Sequence, residues 1–154
     1  MAPLYLPFSS TTVPLTNTYL MPSDGIDGSP NANRAWAWEG VVEALLVLGR
    51  LEEARVAVPQ ALACGREFGV PLCEPHLVRL ALERGRSEAA ARLLGHARQA
   101  FEARGMAIHG ERREYLDRMA EQLAAALGAE RCDALIAEGQ AMTDEAALAA
   151  ACGD

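Results

Sequence analysis

The stretch GRSEAAARLLGHARQAFEARG, residues 85–105, decides how this chain is read. Ala90, Leu93, Leu94, Ala97 and Phe101 recur at i, i+3, i+4, i+7 and i+11, which places them on one face of an α-helix. His96 projects from the other side with Arg92, Gln99 and Ala103, so the wheel predicts a solvated surface histidine. Gly85 and Gly105 bracket the segment where helices need permissive C-terminal residues.

A related segment, GRLEEARVAVPQALACGREFG, occupies residues 49–69. Aligning the two pairs Gly49 with Gly85, Arg50 with Arg86, Glu52 with Glu88, Ala54 with Ala90, Ala61 with Ala97 and Gly69 with Gly105, always 36 residues apart. That spacing is close to the roughly 34-residue period of tetratricopeptide helix–turn–helix repeats. Trp38, Val41, Leu45 and Gly49 fit a first helix of such a unit, with Ala54, Val58, Ala61 and Leu62 on the second. The next first helix is degenerate: Glu74 stands where Trp38 stood, in the proline-led segment EPHLVRLALERG.

Working outward, helices are predicted at about 31–48, 51–68, 75–84, 87–104, 110–127, 130–138 and 144–151. Gly49, Gly69, Gly85, Gly105, Gly128 and Gly139 read as their stops. Pro59 predicts a bend or break in the second helix. Thr143 reads as an N-cap, with Asp144 and Glu145 in the first turn behind it. Residues 1–30 carry five prolines and no basic residue, which predicts an irregular or partly disordered arm able to dock Tyr5, Phe8 or Tyr19 onto the helices. The expected organisation is therefore that arm, then an all-α domain over 31–154: hairpins at about 31–68 and 75–104, capped by helices over 110–151.

Composition narrows the function. The 14 basic residues are all arginine, which removes a P-loop lysine and Schiff-base chemistry. A formal net charge of −7 and a pI near 5.0 disfavour direct nucleic-acid binding, which phosphate neutralisation drives. Cys64, Cys73, Cys132 and Cys152 form no CxxC pair and read as reduced thiols of a cytoplasmic protein. No run approaches the roughly 20 apolar residues of a membrane span. The N-terminus lacks the charged start and continuous apolar core of a secretory signal.

The runs RGRSEAAARLLGHARQAFEARG and ERREYLDRMAEQLAAALGAERCDALIAEGQAMTDEAALAAA resemble the C-terminal end of bacterial ATP-binding winged-helix transcriptional regulators of the signal-transduction ATPase class. The matching positions are Ala90–Ala97, Glu111–Gly128 and Ala137–Ala150, within a resemblance covering about residues 34–151. The resemblance implies a short tetratricopeptide-like α-solenoid with a sensor or scaffold role. The glycine–lysine ATP loop and the DNA-reading helices of that family are absent, and residues 1–30 resemble none of its repeats. ATP hydrolysis and DNA binding are accordingly not carried over, and the chain is expected to be a free-standing remnant or a truncated relative.

In tetratricopeptide-like hairpins the first helices line a concave groove. That register nominates Trp36, Glu39, Glu43, Leu46 and Val47, then Leu72, Arg79, Leu82 and Glu83, as partner-binding residues, with Trp36 and Arg79 as anchors. Trp36 is equally suited to packing in a core or beneath the N-terminal arm, and Trp38 is better suited to that than to the groove. Because roughly three repeats are normally needed for stability, the missing neighbours are expected from the arm, the last three helices, a second subunit in a homodimer or a docked protein. Cys73 and His76 supply two of the four ligands a structural zinc site needs, and no second pair is visible. Cys64 with a distant histidine leaves open a thiol-dependent or small-ligand pocket between helices. The leading expectation is a non-enzymatic protein–protein interaction module with no metal, no cofactor and no catalytic residue.

Overall fold

A computed structural model of the chain describes residues 30–153, with side chains from Asn33 onward. The N-terminal arm and its docking aromatics lie outside the described residues. Among the described residues the protein is all-α, with seven helices and no strand: α1 (Pro30–Val47), α2 (Leu51–Phe68), α3 (Glu74–Glu83), α4 (Ser87–Glu102), α5 (Gly110–Leu127), α6 (Ala129–Gln140) and α7 (Asp144–Cys152).

Helices α1 and α2 pack along each other, as do α3 and α4. The turns inside the two pairs share their bonding at an offset of 36 residues. The N–H of Gly49 donates to Leu46 O (3.1 Å) and that of Arg50 to Leu45 O (2.9 Å); Gly85 and Arg86 do the same to Leu82 O (2.9 Å) and Ala81 O (2.8 Å). Gly49 and Gly85 both take the left-handed conformation, at φ 70° and 74°, that side chains with a Cβ avoid. The pairs also end alike, with Val70 N–H on Gly65 O and Met106 N–H on Phe101 O. Inside the pairs Ala54, Val58 and Ala61, like Ala90, Leu94 and Ala97, are buried in one core that continues through Leu77, Leu80, Leu116, Leu123 and Leu135.

Beyond α4 the correspondence ends. Helix α6 crosses α4 backbone to backbone: a Cβ added at Gly95 would collide with the Ile136 carbonyl, and one at Gly139 with the Arg92 carbonyl. Gly139 is thus not a helix stop but a buried residue inside α6, there because only a hydrogen fits. Helix α7 then folds back onto α2, α3 and α4, a return contact that a linear stack of hairpins lacks.

Two further expectations are corrected. His96 is not solvated: it is 6% exposed, because α6 and α7 cover the α4 face that the helical wheel assigned to solvent. Helix α2 runs through Pro59 without the break that was one of the two outcomes expected there. A proline cannot donate to the carbonyl four residues back. The Arg55 carbonyl left without that donor accepts instead from Cys152 Sγ at 3.7 Å. The N-cap expected at Thr143 is present, its hydroxyl accepting from Ala146 N–H at 3.2 Å.

Candidate functional site

Glu39 and Glu43 of α1 and Arg79 and Glu83 of α3, all nominated for the groove, fall into one polar cluster with His76 of α3 and Arg112 and Tyr115 of α5. A Glu39 oxygen accepts from Arg112 Nη2 at 2.9 Å and lies 3.6 Å from His76 Nε2. Glu39 is 12% and His76 9% exposed at the side chain, so this contact is largely shielded from water. The Arg112 guanidinium also covers the Phe101 ring at 5.6 Å from its centroid, tying α5 to α4. The Tyr115 ring stands 6.2 Å from that of His76.

Burial pushes the Tyr115 hydroxyl up to about 12, although Arg79 acts on it in the other direction. Arg79 acts on the hydroxyl through its charge and a side-chain hydrogen bond, while His76 Nδ1 is buried without a partner. At neutral pH Tyr115 is therefore a donor and not a base. Three helices converge here through matched charges: Glu39, Glu43 and Glu83 against Arg79 and Arg112.

Arg112 and Tyr115 were not nominated from sequence. They stand 36 residues after His76 and Arg79, but the residue types differ, and the repeat that ends with α4 gave no signal for them. With Arg112 bonded to Glu39, the space between α1 and α3 is bridged by the chain's own side chains.

The other nominated residues do not join this cluster. Leu46 and Leu72, each 2% exposed, are core residues and line no surface. Leu46 sits in the main core, whereas Leu72 packs with Ala35 and Cys64 in a smaller one flanked by Trp36, Trp38, Phe68 and Val70. Trp36 is half-buried there, its indole N–H enclosed without an acceptor. Leu82 is half-buried on the main core and Val47 is exposed.

The thiols do not assemble a reactive centre with His76. Cys64 lies in the smaller core, where Arg34 and Gln60 donate to its sulfur at 3.6 and 3.4 Å. Cys73 lies in the main core, and burial, reinforced by Glu74 and Glu39, holds its thiol well above the ordinary range. It stays protonated at neutral pH, and the thiolate is the nucleophilic form. Among the described residues no group of three or more His, Cys, Asp or Glu is placed to hold a metal ion.

A second polar cluster joins α2, α4 and α7. His96 Nδ1 lies 3.3 Å from Met142 O and Nε2 3.4 Å from Asp144 Oδ1, while Arg66 Nε contacts the other Asp144 oxygen at 3.2 Å. Burial lowers the affinity of His96 for a proton, with Asp144 and the Met142 carbonyl opposing. Nearby, burial raises the carboxyl pKa of Glu74, a residue 4% exposed at the start of α3.

An open cleft of about 580 Å³ lies between the end of α4 and the start of α5, with Phe101, Met106, Ile108 and Leu116 as its apolar part and Arg98 and Asp117 among its charges. No helix among the described residues is long and apolar enough to cross a membrane. Comparison of the chain with protein families, curated proteins and solved structures found no match.

Proposed function

We propose that the chain is a non-enzymatic, tetratricopeptide-like interaction module that engages a protein partner through its first helical pair, in keeping with the sensor-like role implied by its resemblance to transcriptional ATPases. One observation carries this reading. The exposed large apolar side chains among the described residues, Val41, Val47, Leu48 and Val56, all belong to α1, α2 or the turn joining them. Val56 is 75% and Leu48 65% exposed, whereas at the other end of the molecule α6 and α7 cover the second pair. Apolar residues exposed together on one helical pair favour contact with a further packed element, either a partner protein or a second copy.

Capture from the native cell with mass spectrometry tests the reading, comparing wild type with Val56→Asp and Leu48→Asp and with Trp36→Ala and Arg79→Ala. Loss of a partner in the first two variants supports docking on the outer face of the first pair. Loss confined to the last two transfers the contact to the α1–α3 side. The same partners retained by all four removes both surfaces.

The cleft beside Phe101 supports a second reading, a small-ligand protein. It is open and carries charges on its rim, where dedicated ligand sites enclose most of the ligand and converge a few polar groups on it. The interaction reading is therefore preferred.

A further inference from the structure

Helix α7 is clamped by charged groups at both ends. Its nine residues read DEAALAAAC; Ala147 and Ala151 are buried in the main core, and Leu148, Ala150 and Cys152 pack on it partly buried. Leu148 is the one large apolar side chain among them, and alanine methyls supply little of the apolar area that fixes a helix to a core. The end contacts are dense. Arg84 Nη1 donates to Ala151 O at 3.1 Å and to Gly153 O at 2.9 Å, Arg86 Nη1 to Gly153 O at 2.8 Å, and Arg55 Nη1 to Cys152 O at 3.3 Å. Three guanidinium groups from α2 and the α3–α4 turn thus meet the negative end of the helix. At the other end Asp144 is held by Arg66 and approached by His96.

A nine-residue helix does not persist alone in water, because nucleation costs more than so few bonds return. Removal of α7 from its seat therefore means melting it. The connection from α6 is only residues 141–143, so the melted segment stays tethered beside its own site.

We propose that α7 is a detachable strap: a segment ordered only while its ends are clamped by Arg55, Arg84 and Arg86 on one side and Arg66 and His96 on the other, opening as a unit while α1–α6 stay folded. Opening uncovers the α2–α3–α4 surface it seats on and frees the three arginines for an anionic or carbonyl-rich replacement. This local opening is independent of how the first pair is used.

Cys152 is a natural reporter, since its thiol is engaged on the Arg55 carbonyl when the strap is closed. Cys64 and Cys132 are buried and serve as controls, whereas Cys73, at the start of α3, lies close to Cys152 on the side α7 seats on. The test is iodoacetamide labelling of the full chain under native conditions, with each cysteine followed by mass spectrometry. In wild type Cys152 should label well ahead of the other three. The double variant Arg84→Ala/Arg86→Ala should speed Cys152 about tenfold, as expected when a few charge-assisted hydrogen bonds are lost, and leave the rates of Cys64 and Cys132 unchanged.

The decisive variant is Asp144→Ala. Asp144 is eight residues from Cys152, about 12 Å along the helix, so it changes the thiol only if the strap moves as one body. Acceleration of Cys152 by Asp144→Ala with Cys64 and Cys132 unmoved supports the strap. A Cys152 rate unmoved by Asp144→Ala, or Cys64 and Cys132 accelerating with Cys152 in either variant, overturns it.

Discussion

The two helical pairs begin from nearly the same local structure and end in different surroundings. Their turns make corresponding hydrogen bonds 36 residues apart, and their inner faces carry corresponding buried residues. Yet Gln60 is exposed where His96 is buried, and Pro59 sits on the surface where Gly95 touches the backbone of another helix. The register of a helix sets which face meets its own partner. Whether the opposite face is wet depends on what the chain lays over it later, and here α6 lies over α4 of the second pair while α7 seats on α2, α3 and α4. A proline ring at the Gly95 position would itself bar α6, so Pro59 and Gly95 are suited to opposite fates at equivalent sites.

The largest effect that separates the pairs is expected at the α4–α6 crossing. Gly139→Ala or Gly95→Ala forces a methyl into a carbonyl of the facing helix and should cost about 3 kcal/mol in urea unfolding, at the upper end for overpacking. Pro59→Ala, the equivalent change in the first pair, removes an exposed ring and should not destabilise at all. Equal losses at both positions would mean that the crossing is not what distinguishes the pairs.

Next in size is the contact that closes the α1–α3 side. Arg112→Ala leaves the shielded Glu39 carboxylate without its guanidinium and is expected to cost about 2 kcal/mol. Glu39→Gln in the same chain should recover most of that loss, because the penalty comes from an unpaired charge. Independent, additive effects in the double-mutant cycle would show that Arg112 acts on Phe101 alone.

The helices, five of the glycine stops and the Thr143 cap were legible in sequence because each depends on residues within a turn or two of itself. The features misread depend on distant chain. His96 was assigned to solvent by a wheel that knows only its own helix, and Gly139 read as a stop because a glycine near a helix end has that meaning when nothing crosses it. Leu46 and Leu72 were placed in a groove by a register that did not foresee the two cores that absorb them. Of the polar cluster, Glu39, Glu43, Arg79 and Glu83 were found from that register, whereas Arg112 and Tyr115 lie on α5, beyond the paired segments, and had no such signal.

Of intermediate size are two changes in the second pair. His96→Ala removes a buried ring with polar partners at both nitrogens and should cost about 1.5 kcal/mol, against less than about 0.5 for Gln60→Ala on the first pair. Glu74→Gln tests the buried carboxylate by its pH dependence. Burial raises the folded-state pKa above its unfolded value, so ionisation opposes folding: stability from this group is full below the unfolded pKa and lost as pH rises through the folded one. Glu74→Gln should accordingly be more stable than wild type at pH 7, by on the order of 1 kcal/mol, with the gain vanishing near pH 4. A gain constant with pH would assign the effect to packing.

The smallest effect is the one most specific to the first pair. Val56 and Leu48 project from the first pair, and Val56 keeps three quarters of its surface in water at 75% exposure. An apolar side chain that buries little on folding contributes little to it, so Val56→Ser and Leu48→Ser should each change the unfolding free energy by less than about 0.5 kcal/mol. The same replacement at Leu94, in the position corresponding to Val58 on the buried side, removes a fully enclosed side chain and puts a hydroxyl in its place, at a cost of several kcal/mol on the scale of large-to-small core changes. If Val56→Ser instead destabilises at a level that grows with protein concentration, the uncovered face is already occupied by a second copy in solution. Stability lost at every concentration alike would show that this face is packed within the chain, and the asymmetry between the two pairs would disappear with it.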